Sequence, residues 1–120
     1  MNIVDQIGHY LQGQMPKVNF SQGLMPPAPD RCIVVFAIDL NPNRDGGVRV
    51  QLRIRGDGSP SMALGDAEKA ASLLDDFEGL LSAEGNYINR ITVENGPAHL
   101  GADQNSRQEY SINLMVYYCD

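Results

Sequence analysis

The 120-residue sequence lacks the features that mark membrane and secreted proteins. It contains no run of about 18 apolar residues, the minimum for a membrane-spanning helix. Residues 1–5 carry neither the basic region nor the apolar segment of a secretory signal. Two cysteines, Cys32 and Cys119, lie in apolar runs that are typical of strands. We therefore expect a cytoplasmic protein with no membrane partner, in which both thiols are reduced and buried.

Motifs for catalysis and for metal binding are also missing. The two histidines, His9 and His99, fall in separate elements, and no Cys-x-x-Cys pair indicates a zinc site. No Gly-x-Ser-x-Gly motif presents a nucleophilic serine. Residues 56–59 contain two glycines but lack the lysine of a phosphate-binding loop, and a connection from strand to helix explains them. The sequence therefore predicts neither catalytic residues nor a bound metal or cofactor.

Composition predicts one folded domain over residues 1–120. Apolar residues make up 42 % of the chain, which is long enough to bury a hydrophobic core. The formal net charge is −6, and this acidic balance argues against a surface that wraps nucleic acid. An acidic surface is compatible with a channel through which nucleic acid passes without adhering.

The clearest pattern in the chain lies in residues 47–56. Its apolar side chains alternate strictly with polar ones, three of which are arginines: Arg49, Arg53 and Arg55. A period of two predicts a half-buried strand, with one face on the core and a row of guanidinium groups on the other. The row has two interpretations. It is either a charged sheet face that resists aggregation or a subunit interface that binds a neighbour's carboxylates.

Periodicity and turn-forming residues predict the two helices. A short helix over residues 2–12 has Asn2 as its cap and Gly13 as its end. A second helix of about 20 residues begins at Ser59-Pro60 and carries an apolar stripe as far as Leu81. Late in this helix lies an acidic cluster, which is either a solvated face or a partner for a neighbour's arginines: Asp75, Asp76 and Glu78.

The remaining elements are strands and loops. Strands are predicted over residues 18–24, 31–38, 47–56, 91–93 and 109–118. Residues 25–30, with three prolines, and residues 96–107 are predicted to be loops, and residues 41–47 to be the mobile tip of an antiparallel hairpin. The fold class is α+β, a mainly antiparallel sheet with one long helix packed on it and a short N-terminal helix. The element order is α-β-β-β-α-β-β.

Three blocks of sequence, read together, resemble a known family. They span residues 23–36, 48–56 and 97–113, around a helix that contains Ala67-Glu68-Lys69-Ala70. In this order they resemble the minor capsid and tail terminator proteins of long-tailed bacteriophages. Early Gly65 and the many alanines of the long helix depart from the commonest pattern and affect the packing of the helix start.

The resemblance implies a structural role in the virion. Such proteins form a ring, commonly a hexamer, at the head-proximal end of the tail tube. The ring ends tube growth and offers a surface to the head connector, and DNA passes through it without specific binding. The implied partners are therefore further copies of the chain, the tail tube protein and the head-tail connector protein. No catalytic motif is implied.

By the family pattern, contact surfaces are expected on the arginine-bearing strand, in the 41–47 loop and between residues 103 and 109. The predicted interface residues are Arg49, Arg53, Arg55, Asn43, Arg44, Asp45, Arg107, Glu109 and Tyr117. Two other functions stay open at this point. One is a head-tail connector or adaptor of the virion, and the other is a small ligand-binding α+β dimer or enzyme.

Overall fold

The computed structural model describes residues 2–39, 47–57 and 59–118, and these form two helices and a six-stranded sheet. The elements are α1 (Ile3–Gln14), β1 (Asn19–Gln22), β2 (Cys32–Asp39), β3 (Gly47–Arg55), α2 (Pro60–Leu74), β4 (Gly79–Leu80), β5 (Tyr87–Ala102) and β6 (Gln108–Tyr118). The strand order is β1-β2-β3-β6-β5-β4, and all pairs are antiparallel except β1 with β2. The predicted α+β class is confirmed, with the two-residue β4 as an addition. No helix among these residues has the length and apolarity to cross a bilayer.

Both helices pack on one face of the sheet, and the hydrophobic core lies between the helices and that face. The apolar positions of β3 alternate as predicted and are fully or almost fully buried: Val48, Val50, Leu52 and Ile54. They belong to one core cluster with Ile7 and Leu11 of α1 and the small residues Ala67 and Ala70 of α2. Burying each large aliphatic side chain contributes roughly 1.5–3 kcal/mol, so this face accounts for most of the fold's hydrophobic stabilisation.

Helix α1 begins where the sequence predicts. The side chain of Asn2 accepts a hydrogen bond of 2.8 Å from the backbone N–H of Asp5, which satisfies one free donor of the first turn. The helix continues through Gly13 and ends at Gln14, and the N–H of Met15 still donates to the carbonyl of Leu11.

Helix α2 is shorter than the sequence predicts, because its last residue is Leu74. The chain becomes extended at Asp75 and left-handed at Asp76, whose N–H donates to the carbonyl of Ile91 at 2.8 Å. Ile91 in turn donates to the carbonyl of Phe77 at 3.1 Å. Backbone groups that would continue the helix therefore pair with the edge of β5. Phe77 and Leu81 keep the predicted contact with the core, but from outside the helix.

Strand β5 is much longer than the predicted 91–93 segment, and the predicted 96–107 loop is wrong for its first half. The register of β5 on β6 shifts at several points, including the step from Asn95 to Ala98. These irregularities absorb Gly96 and Pro97, since an extra residue in one strand is accommodated by a bulge. Gly96 has φ +107°, and a Cβ there would lie 2.4 Å from the carbonyl oxygen of Ser111. Turn signals in the sequence thus mark bulges rather than the end of the strand.

Candidate subunit interface

The sheet face that the helices leave uncovered carries several of the predicted contact residues. Side chains alternate along a strand, so those opposite the core residues of β3 and β6 share this second face. We call it the outer face, and define it by Arg49, Arg53, Ser111, Met115 and Tyr117. Arg49 is the cross-strand partner of Met115, and Arg53 that of Ser111. The structure thus places Arg49, Arg53 and Tyr117 on one face of the sheet.

Gly47 shapes one end of the outer face. It is the cross-strand partner of Tyr117, and a Cβ at this position would lie 2.8 Å from the Tyr117 ring and 2.7 Å from the sulfur of Met115. The absence of a side chain therefore lets Met115 and Tyr117 lie over β3. A depression of about 310 Å³ opens nearby, lined by Ile38, Arg49, Glu94, Asn95, Asn113 and Leu114.

Both arginines of the outer face lie near carboxylates of their own chain. Arg49 Nε lies 3.5 Å from Glu94 Oε1, and Arg53 Nε lies 3.8 Å from Glu109 Oε1. The second distance is too long for a hydrogen bond. Arg53 Nε is buried and has no hydrogen-bond partner within the described part of the chain. Exposed ion pairs of this kind contribute only about 0–1 kcal/mol, so both guanidinium groups keep the capacity to bind another carboxylate.

Arg55, the third arginine of the strand, has a different environment. Only 2 % of its surface is exposed. Its Nε donates to the carbonyl of Asp30 at 2.9 Å, and its Nη2 donates to that of Pro29 at 2.7 Å. The prediction of three exposed guanidinium groups is therefore wrong for its last member. Arg55 fixes the proline-rich segment by donating to two of its carbonyls.

Arg107 holds the same segment from the turn after β5. Its Nη1 donates to the carbonyl of Pro27 at 2.7 Å and to Asp30 Oδ1 at 3.1 Å, and its Nε donates to Asp103 Oδ2 at 2.7 Å. The hydrogen bond to Asp103 raises the pKa of Arg107. Desolvation acts to raise the pKa of Asp103, but hydrogen bonds from Arg107 and Asn105 outweigh it, and the net pKa is lowered. Two arginines predicted at an interface thus bind their own chain.

A further ion pair, between Arg31 and Asp66, was not predicted from the sequence. Arg31 Nε and Nη2 each donate to a carboxylate oxygen of Asp66 at 2.8 Å, and these bonds raise the pKa of Arg31. Asp66 is a charged residue of α2, yet it is buried. Asp66 follows Ala63 by three residues and precedes Ala70 by four, a spacing that puts it on the buried stripe of the helix. This spacing could have predicted its burial.

The acidic cluster also binds its own chain. Asp75 Oδ1 accepts from the N–H of Val93 at 3.0 Å, and Asp76 pairs with Arg90 at 3.0 Å. Glu78 accepts from the hydroxyl of Tyr87 at 3.0 Å. All three acids follow the end of α2, so the predicted position on the helix is wrong. They instead attach the segment after the helix to β5.

Several predicted features lie outside the described residues. They are Asn43, Arg44, Asp45, Cys119 and the tip of the hairpin between β2 and β3. Cys32 is buried and free, as predicted. In the described part of the chain, no group of three or more histidine, cysteine or acidic side chains is placed to hold a metal ion.

Comparison with protein-family models identifies the family. Residues 7–118 match the model for the bacteriophage tail terminator protein. The chain belongs to this family. The resemblance stated from the three sequence blocks is therefore confirmed, and the chain is a phage tail protein that acts with other virion proteins. A comparison with curated proteins finds no match.

Proposed function

We propose that this tail terminator forms a ring, a hexamer, at the head-proximal end of the tail tube. The observation that carries the proposal is the family match over residues 7–118. In this role the ring assembles in the host cytoplasm, stops tube growth and joins the tube to the head connector. The function is structural, and the ring acts without a cofactor.

The outer face is the contact surface that we propose for assembly. Its predicted contact residues are Arg49, Arg53 and Tyr117, with Glu109 beside Arg53, and no helix among the described elements lies over it. The Arg53 side chain is 43 % exposed, so a carboxylate from a neighbouring subunit or from the tube would reach the outer part of its guanidinium group, beyond the long contact to Glu109. Isolated ion pairs orient a complex more than they hold it, so apolar contacts must add affinity. Ile38, which is 52 % exposed beside this face, supplies such surface.

The acidic balance suits a passage for DNA. With a formal net charge of −6 per chain, a ring of several copies would repel phosphate rather than bind it. Nucleic acid would then cross the ring without sequence-specific contacts. We propose this as a property of the assembled ring, since an acidic protein lowers the affinity for the phosphate backbone.

Production of phage particles without the chain tests the proposal. We expect tubes of abnormal length and heads without tails when the gene carries a stop codon. Wild-type protein supplied in trans should restore joined particles, and Arg53→Glu should restore few, because it removes the guanidinium and places a carboxylate against Glu109. Lys69→Glu, a charge reversal at an exposed position of α2, is the matched control and should restore joining.

Three results would change the proposal. Joined particles with normal tubes in the absence of the chain would overturn it. Tubes of normal length without heads would favour the head-side connector role. Full restoration by Arg53→Glu would remove the outer-face arginine from the interface while leaving the ring itself in place.

A further inference from the structure

Each of the two edges of the sheet is covered over only part of its length. At one edge, β1 pairs with residues 32–35 of β2, and no described strand lies beside residues 36–39 on the side away from β3. At the other edge, β4 pairs with Tyr87 and Ile88, and the segment before β4 bonds to Ile91 and Val93. On the side away from β6, the described chain places no strand beside residues 95–102 of β5.

The two uncovered stretches lie at opposite ends of the sheet. Cross-strand register links Cys32, Arg55, Glu109 and Gly101 in one row. The row two residues along, which begins at Val34, ends at Ala98. Strand β1 therefore lies in the same cross-strand rows as the uncovered stretch of β5. Strand β4 lies towards the end of the sheet where β2 is uncovered. If two copies lie side by side with their helices on the same face, β1 of one copy can lie beside the uncovered stretch of β5 in the other.

Strand direction and backbone orientation agree with this fit. β1 runs parallel to β2 and β2 antiparallel to β3, while β6 and β5 alternate in direction beyond it. β1 of one copy would therefore run antiparallel to β5 of the next. The N–H groups of Asn19 and Gly23 donate to the carbonyls of Arg31, just before β2, and Val35 at 3.3 and 3.4 Å. By alternation along the strand, the N–H groups of Phe20 and Gln22 point away from the sheet.

Side chains of the two stretches are also compatible. Residues 19–22 and 98–102 contain no aspartate, glutamate, lysine or arginine, so no like charges would oppose each other. Leu100 is 47 % exposed at the open edge and would be covered by a neighbouring strand. Pro97 and the bulges near it protect the rest of the edge from pairing, which limits the partner to a short strand such as β1.

We propose that neighbouring subunits join by strand addition, with β1 of one copy paired antiparallel to residues 98–102 of β5 in the next. The contact is heterologous, because each copy uses β1 on one side and β5 on the other, and such contacts close into a ring when the rotation permits. This inference rests on the proposed ring and names the surface that builds it.

Site-specific cross-linking of assembled rings tests the inference. In a Cys119→Ser background, Gln22→Cys and Leu100→Cys are made separately and together, and rings on purified tail tubes are treated with a short bis-maleimide. We expect cross-linked dimers only when the two single variants are mixed, and a ladder up to the full ring from the double variant. Rings that give no mixed dimer, or single variants that cross-link with themselves, overturn the inference and leave the ring standing. Absence of rings on wild-type tubes overturns the proposed function and this inference with it.

Backbone substitution gives a second readout. Gln22→Pro removes an N–H that points away from β2, so the monomer should stay folded while association weakens about tenfold. Gln22→Ala loses the side-chain hydrogen bond to Asp5 but keeps the N–H, and should associate as the wild type does. Equal association of both variants, measured by sedimentation, would contradict the proposed pairing.

Discussion

At the scale of single residues, arginines of the same strand have different roles. Arg49 and Arg55 both belong to the polar positions of β3. Arg49 extends into solvent beside Glu94, whereas Arg55 is buried against the carbonyls of Pro29 and Asp30. Alternation along a strand predicts the face of a side chain, but it contains no information about what another segment places over that face. The proline-rich segment decides the difference.

Substitution of Arg55 should therefore affect folding, and substitution of Arg49 should not. Arg55→Ala removes a buried guanidinium group and both of its hydrogen bonds to the proline-rich segment, and we expect a loss of about 2–4 kcal/mol in the free energy of unfolding. Arg49→Ala should cost less than about 0.5 kcal/mol, because its ion pair is exposed. Urea denaturation of the isolated chain measures both. Equal losses for the two variants would show that the contacts of Arg55 are not stabilising.

Asp103 predicts a dependence of stability on pH. Hydrogen bonds from Arg107 and Asn105 lower its pKa in the folded chain, so the unfolded chain binds more protons in the acid range. Its contribution to stability is present above the usual carboxyl pKa of about 3.9 and is lost as pH falls through the lower folded value. Asp103→Asn should flatten the fall in stability below about pH 4, measured by thermal unfolding across pH. An unchanged profile would contradict this assignment.

At the scale of elements, the sequence predicts existence better than length. The cap at Asn2 and the alternation in β3 are local signals, and both are confirmed. The ends of α2 and β5 depend on hydrogen bonds between distant segments, such as Asp76 to Ile91. Pro97 and Gly96 look like a loop in sequence, and only pairing with β6 shows that they form bulges. Local pattern carries no record of such partners.

The bulge in β5 requires a residue without a side chain at position 96, and this can be tested. Gly96→Ala would place a methyl group 2.4 Å from the Ser111 carbonyl in a backbone conformation with φ +107°, and we expect a loss of about 2–3 kcal/mol. Gly8 lies inside α1 with open space around it, so Gly8→Ala should add about 0.5–1 kcal/mol. Chemical denaturation compares the two. Tolerance of alanine at position 96 would contradict the described bulge.

At the scale of the whole molecule, the candidate interface was only partly visible in the sequence. Period two placed Arg49 and Arg53 on one face of β3, and only the register of β3 on β6 brings Tyr117 to the same face of the sheet. Arg107 could not be assigned, because its partners Pro27 and Asp30 are close only in the folded chain. The partly covered edges of the sheet, at β2 and β5, could not be predicted from the sequence for the same reason. They follow from the register of five strand pairs rather than from any local motif.

The most direct test of the terminator role is to image tail tubes of the same phage with the purified chain. Electron microscopy should show one ring at a single end of each tube, and these tubes should stop growing when tube protein is added. Tubes without the chain should continue to grow in the same mixture. Binding along the tube wall, or ends that stay bare and continue to grow at saturating concentrations of the chain, would contradict the proposed function.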